Sequence, residues 1–143
     1  MTGKVEWIGI RPERKAPVIG KKTVNVDLES GIEGDHPASA NRQVTIISQE
    51  QLESVSTAMG TDVIDPAATR RNIMISGLDF GTLENSKIRI GDVLLEITGP
   101  CRPCERMDKN LGDGGRLAME NKGGWTTRVI EQGAISIGDA VTV

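Results

Sequence analysis

Apolar residues along this chain recur mostly in short β-branched or alternating runs, and only once over a long helical period. Val5 to Ile10 reads as an opening strand, Lys22 to Leu28 alternates as Thr-Val-Asn-Val-Asp-Leu after its lysine, and Gln43 to Ile47 is a compact β-branched run. Ser48 followed by Gln51 is a capping box, which predicts a helix from about Gln49 to Met59 that stops at Gly60, with Leu52, Val55 and Met59 on one face. Asp65-Pro66 starts a short helical segment or turn, and Asn72 to Ile75 returns to a strand that ends at Gly77.

The second half contains a local echo. Ile88-Arg89-Ile90-Gly91-Asp92-Val93 is matched by Ile135-Ser136-Ile137-Gly138-Asp139-Ala140, and each reads as strand, Gly-Asp turn, strand, the grammar of a hairpin. Two copies without a fixed period do not make a repeat protein. Val93 to Thr98 leads into a Cys-x-x-Cys segment, after which a helix continues to about Leu111. Gly112-Asp113-Gly114-Gly115 interrupts it, Leu117 to Asn121 forms a further turn, Gly123-Gly124 makes a loop before Trp125, and Thr126 to Ile130 is a strand. The predicted class is mainly β (α+β), a barrel or sandwich-like domain with two or three inserted short helices rather than a doubly wound α/β fold.

Composition narrows the function classes. At 143 residues the chain is expected to be a single domain, 1–143, and its core must be built from Val, Ile, Leu and Ala, because the aromatics are Trp7, Trp125 and Phe80, with no Tyr. A net charge of -3 argues against a whole-domain nucleic-acid footprint, and the scarce aromatics argue against base stacking. No apolar stretch approaches the roughly 20 residues that cross a bilayer, and the N-terminus lacks a secretory apolar region, so a soluble, cytoplasmic protein with no membrane partner is expected.

Candidate chemistry concentrates in Gly99-Pro100-Cys101-Arg102-Pro103-Cys104-Glu105-Arg106, which holds both cysteines of the chain. Pro103 suits a first helical turn, which would place Cys104 in that turn between Arg102 and Arg106, where a thiolate is favoured. The polar neighbours argue for an unburied pair. Other readings stand beside a reactive Cys104: two buried small hydrophobes, a thioredoxin-like redox pair without its βαβ context, or a zinc site completed by a carboxylate or a second subunit.

His36, the only histidine, follows Gly34 and Asp35, whose sharp turn could expose backbone N–H groups and aim the imidazole at a ligand; a solvent-exposed loop histidine is the alternative. Arg70-Arg71-Asn72 at a strand mouth is either solvated charge or a bidentate grip on phosphate or carboxylate, and Arg42 could face the same pocket. Gly123-Gly124-Trp125 is an anchored turn or a pocket wall. Gly112 to Gly115 lacks the spacing of a nucleotide-binding loop, and no pyridoxal phosphate site is expected.

Taken in order, Gly31-Ile32-Glu33-Gly34-Asp35-His36, Arg70-Arg71-Asn72-Ile73, Ile90-Gly91-Asp92-Val93-Leu94-Leu95-Glu96, Gly99-Pro100-Cys101-Arg102-Pro103-Cys104 and Gly138-Asp139-Ala140-Val141 resemble the MOSC domain, named for the C-terminal domain of molybdenum cofactor sulfurase. The resemblance spans nearly the whole chain and implies a β-barrel-like fold that holds the molybdenum cofactor or carries sulfur on a cysteine as persulfide. Its amidoxime-reducing members reduce N-hydroxylated compounds, with the second cysteine of such a segment on the metal. By that match Cys104 is the molybdenum ligand, and Arg70 and Asn72 contact the cofactor; Cys101 is the candidate catalytic companion of Cys104, and Arg42, Asp35, His36, Arg71 and Trp125 are the further candidates around the cofactor. The chain lacks the extra N-terminal domain of the larger reductases, so half of a typical pocket is expected to be missing; either a second subunit in a homodimer completes it, or the cofactor is more exposed and the carrier role gains weight. A carrier would take sulfur from a cysteine desulfurase, and a reductase would need an electron-transfer partner. A non-catalytic small-ligand or partner-binding β module, with incidental cysteines, is the alternative.

Overall fold

The run Val-Thr-Ile-Ile-Ser at 44–48 is buried at every position, and its two faces define the two cores of the protein. The computed structural model describes residues 2–36, 39–103 and 106–143. Within them the strands are β1 (Thr2–Ile10), β2 (Ile19–Lys21), β3 (Thr23–Asp27), β4 (Gly31–Ile32), β5 (Val44–Ser48), β6 (Ile73–Ser76), β7 (Lys87–Ile90), β8 (Val93–Pro100), β9 (Trp125–Glu131), β10 (Gly133–Ser136) and β11 (Ala140–Thr142). The helices are α1 (Gln49–Met59), α2 (Arg106–Leu111) and α3 (Gly115–Ala118), with short 3-10 turns between strands.

Seven strands close into a mixed barrel in the order β1-β6-β5-β9-β8-β7-β11, with β11 returning to β1 and β2 added at the edge of β1. β5 and β6 are parallel and joined through α1, while the other described ladders are antiparallel. A parallel neighbour needs such a crossover, because a tight turn can only reverse the chain. β10, β3 and β4 form a separate small sheet.

Strand alternation sorts the side chains. Val44 and Ile46 of β5 point into the barrel with Ile8, Ile73, Ile88 and Leu95, whereas Ile47 points outward into a second cluster with Leu52 and Val55 of α1, Met107 of α2 and Met119. Fully burying each such side chain stabilises the fold by about 2 kcal/mol. The predicted limits of α1 hold: the Ser48 hydroxyl accepts from Gln51 N–H at 3.2 Å, and Gly60 ends the helix in the left-handed region at φ 66.

Two expectations change. Ile88 to Val93 is a hairpin, β7 to β8, but its echo is not: β10 pairs with β3, and β11 pairs with β7 and β1. The second Gly-Asp turn is instead held by β1, as Gly138 N–H donates to the Val5 carbonyl and Val5 N–H to that of Asp139, so the chain switches sheets there. Pro103 lies in irregular chain rather than in a first helical turn.

Candidate functional site

The outer face of β5 and β6 is covered by helices over Ile47 and Met74, but the next positions along that face, Thr45 and Asn72, lie beneath a basin of about 580 Å³. Its walls come from four places in the sequence. The β1–β2 loop brings Arg11, Glu13, Arg14 and Lys15; residues before β5 bring His36 and Arg42; the turn before β6 brings Arg70 and Arg71; and the segment after β8, with the start of α2, brings Cys101, Arg102 and Arg106. Among the described residues, eight of the chain's 17 Lys and Arg residues therefore meet one lining carboxylate, Glu13, around a single concavity, although the whole chain is net acidic. Such focused positive charge attracts oxyanions from solution.

The floor is a closed polar network. Asp35 is an ion-pair partner of Arg11 at 3.0 Å, with its carboxylate wholly buried, and it also accepts from the Arg11 backbone N–H at 2.6 Å. Asn72 is 0% exposed. Its carbonyl oxygen accepts from Thr45 N–H at 3.0 Å and the Thr45 hydroxyl at 3.1 Å, and its amide donates to the Gly9 carbonyl at 3.1 Å and to Asp35 at 3.2 Å. Expected as cofactor contacts, Asn72 and Asp35 are instead the layer below: their polar atoms are used within the protein, where they fix Arg11 and the strand ends.

Arg70 and Arg71 divide their labour. Arg70 lines the basin at φ 58, a left-handed conformation that is uncommon for a residue with a side chain, and donates to the Ala16 carbonyl. Lys15, also on the basin, sits at φ 68. Outliers of this kind persist where surrounding structure enforces them, and they gather at functional sites. Arg71 is buried, and its guanidinium donates to the carbonyls of Gly123 at 2.8 Å, Thr69 at 2.9 Å and Cys101 at 3.1 Å. It ties the end of β8 to the loop before β9, a positioning role, while lining the basin.

That tie demands glycines. A Cβ at Gly123 would stand 2.1 Å from the Cys101 carbonyl oxygen, and one at Gly124, at φ 84, would stand 1.8 Å from that of Ile46. The Gly123-Gly124 pair is the tightest backbone crossing near the site.

His36 and Arg42 are exposed at the basin. The Gly-Asp turn does not present its amides to a ligand, because Asp35 N–H donates to Ile32 and His36 N–H to Arg11. Cys101 is buried at 5% exposure, against the expectation of an unburied pair; its backbone N–H donates to the Gly124 carbonyl at 2.9 Å, so the end of β8 is locked against its neighbour. Cys104 lies outside the described residues. Trp125 faces away from the basin, on a second cleft, and its indole N–H donates to the Phe80 carbonyl at 2.9 Å.

Sequence reasoning did not single out Arg11, Arg14 and Lys15. The signal was present in Arg11-Pro12-Glu13-Arg14-Lys15, three cations in five residues directly after a strand.

Comparison with known proteins agrees with this architecture. The family model described as MOSC domain matches residues 33–142. Molybdenum cofactor sulfurase of Drosophila mojavensis is 28% identical over 97 residues, which cover 62% of this chain and 12% of that protein, so the chain corresponds to a small part of its relative. The crystal structure of the YuaD protein from Bacillus subtilis superposes with a TM-score of 0.85 at 23% identity over 99% of this chain and 94% of that one. YiiM from Escherichia coli superposes with a TM-score of 0.74 at 19% identity over 96% and 68%.

Proposed function

This chain belongs to the MOSC domain family, and from that footing we propose that its basic basin holds the molybdenum cofactor by its phosphate-bearing pterin, with Cys104 as the reactive thiol beside it. The observation that carries the reading is the gathering of eight cationic side chains around one concavity in a net acidic chain. The residues present fit the group: a guanidinium fork matches phosphate oxygens bidentately, and exposed Arg42 stands on the wall to supply one.

When bound, the cofactor supplies a redox-active metal with soft sulfur ligands, a coordination that suits thiolate. The chain's own contributions are positional. Asp35 and Asn72 hold Arg11 from below, Arg71 fixes the Cys101 carbonyl, and the segment so fixed leads, three residues on, to Cys104. As a sulfur carrier, the Cys104 thiolate attacks the outer sulfur of a donor persulfide. The donor's S–S bond breaks, its thiolate leaves, and Cys104 carries the persulfide while Arg102 and Arg106 stabilise its charge. A cysteine desulfurase is the matching class of donor.

Metal analysis of protein isolated from a host that makes the cofactor separates the two roles of Cys104. Stoichiometric molybdenum that is lost in Cys104→Ser supports ligation, and a reduction assay on an N-hydroxylated substrate with an electron donor then tests the reductase activity. Metal-free protein that gains one reductant-labile sulfur from a desulfurase supports carriage. Metal-free protein that gains none overturns both.

A further inference from the structure

Residues 100–103 form a wall with a second side. Behind it lies a cleft of about 680 Å³, bounded also by α3 and the loops before β9 and after β6, which shares Cys101 and Arg102 with the basin but carries balanced charge. We propose that this cleft is a separate site for a small, neutral, planar heteroaromatic compound.

The lining argues for flatness first. Pro100, Pro103 and Trp125 present rigid apolar faces, and the indole is pinned by its bond to the Phe80 carbonyl, so its plane is set before any ligand arrives. Fixed aromatic faces bind flat rings by stacking at little entropic cost. Gly123 and Gly124 leave bare backbone beside them, and their packing against Cys101 and Ile46 keeps that surface in place.

Charge argues for neutrality. The lining holds Arg102 and Arg116 together with Asp108 and Glu120, so its charges balance, and the Arg116 backbone N–H donates to the Asp108 carboxylate at 3.0 Å. Neither an anion nor a cation gains from such a site, in contrast to the basin. Polarity argues for heteroatoms, because the amide side chains of Gln51 and Asn121 offer donors and acceptors together, as the edge of a nitrogen heterocycle requires.

Leu117 supplies the remaining drive. It is 75% exposed on the four-residue α3 and sits at the cleft. A solvated leucine at a concave rim has apolar area to bury only when something occupies the space beside it. The ligand would then lie against the segment that leads into Cys104, on the side where acidic side chains balance the cations.

This site stands on its own lining, so it survives failure of the cofactor reading. The test is ligand-observed NMR of the full chain with quinazoline, purine and isoquinoline, set against benzoate and benzylamine of similar size. The neutral heterocycles are expected to bind about tenfold more tightly than either charged ring. Leu117→Asp changes an exposed position and leaves the core intact; it is expected to weaken heterocycle binding about tenfold, and Trp125→Ala at least as much. Binding that persists undiminished in Leu117→Asp, heterocycles displaced by inorganic pyrophosphate, or no heterocycle bound would overturn the proposal.

Discussion

The basin and the cleft share residues 101 and 102, yet among the described lining residues one gathers eight cations against one carboxylate and the other balances two against two. The difference follows from which elements face each side. The basin is walled by loops that leave strand ends, where long cationic side chains converge; the cleft is walled by α3, two prolines and an indole, together with acidic, basic and amide side chains in balance. A thin wall with unlike sides can hold two chemically different ligands near one another without their competing. The thinness depends on Arg71, which replaces the bulk of a packed side-chain layer with three direct bonds to carbonyls.

The comparison breaks most completely at Gly124. A methyl there meets the Ile46 carbonyl at 1.8 Å in a left-handed backbone conformation, so Gly124→Ala is expected to lose about 4 kcal/mol in urea unfolding and to disturb both pockets together. Arg71→Lys keeps the charge but not the fork. It is expected to cost about 2 kcal/mol, and, unlike a general destabilisation, to speed alkylation of Cys101 under native conditions as the wall loosens.

A milder change sharpens the contrast. Arg42→Ala removes one exposed cation and is expected to weaken pyrophosphate binding about tenfold while leaving heterocycle binding within about twofold, as read by calorimetry. Raising salt should weaken pyrophosphate binding steeply and heterocycle binding little, because screening acts on the charged side alone. Equal loss on both sides would show that the wall does not separate them.

The smallest effect lies away from both. The Asp27 carboxyl is held below its usual range first by the Ser30 backbone N–H, then by that of Glu29 and the Ser30 hydroxyl. Its folded value is the lower one, so its contribution is present above the ordinary carboxylate range and is lost as pH falls through it. Asp27→Asn is therefore expected to flatten the acid limb of the stability profile slightly, without altering either ligand.

Local order was largely legible. The Ser48 and Gly60 ends of α1 were readable because caps are short-range: a hydroxyl three residues from its donor and a residue free to adopt positive φ. The hairpin at Gly91 was readable for the same reason, whereas its echo at Gly138 was not. Both turns have the same residues, but β1 competes for the backbone of the second, and a partner more than a hundred residues away leaves no mark on six residues of sequence.

The candidate site divides along the same line. Arg42, Arg70, His36 and Cys101 could be singled out from residue type and position, and the structure brings them to one basin. Arg71 and Asn72 could not be told from ligand-facing residues, because burial and the carbonyls that surround them are set by strands and loops distant in sequence. Trp125 was placed on the cofactor by order in the chain, while the turn of β9 against β8 puts it on the opposite side of the wall.

By itself, then, the sequence determined a mainly β chain with one capped helix, a concentration of cations near strand ends and a cysteine segment after β8, since each depends on periodicity or on neighbours a few residues apart. The tertiary structure alone decided that four stretches of cations would surround one space, that an asparagine and an aspartate would lie beneath it, and that an arginine would become a strut. Those outcomes depend on barrel closure, which converts distances along the chain into contacts through long-range strand pairing and leaves no local pattern to read.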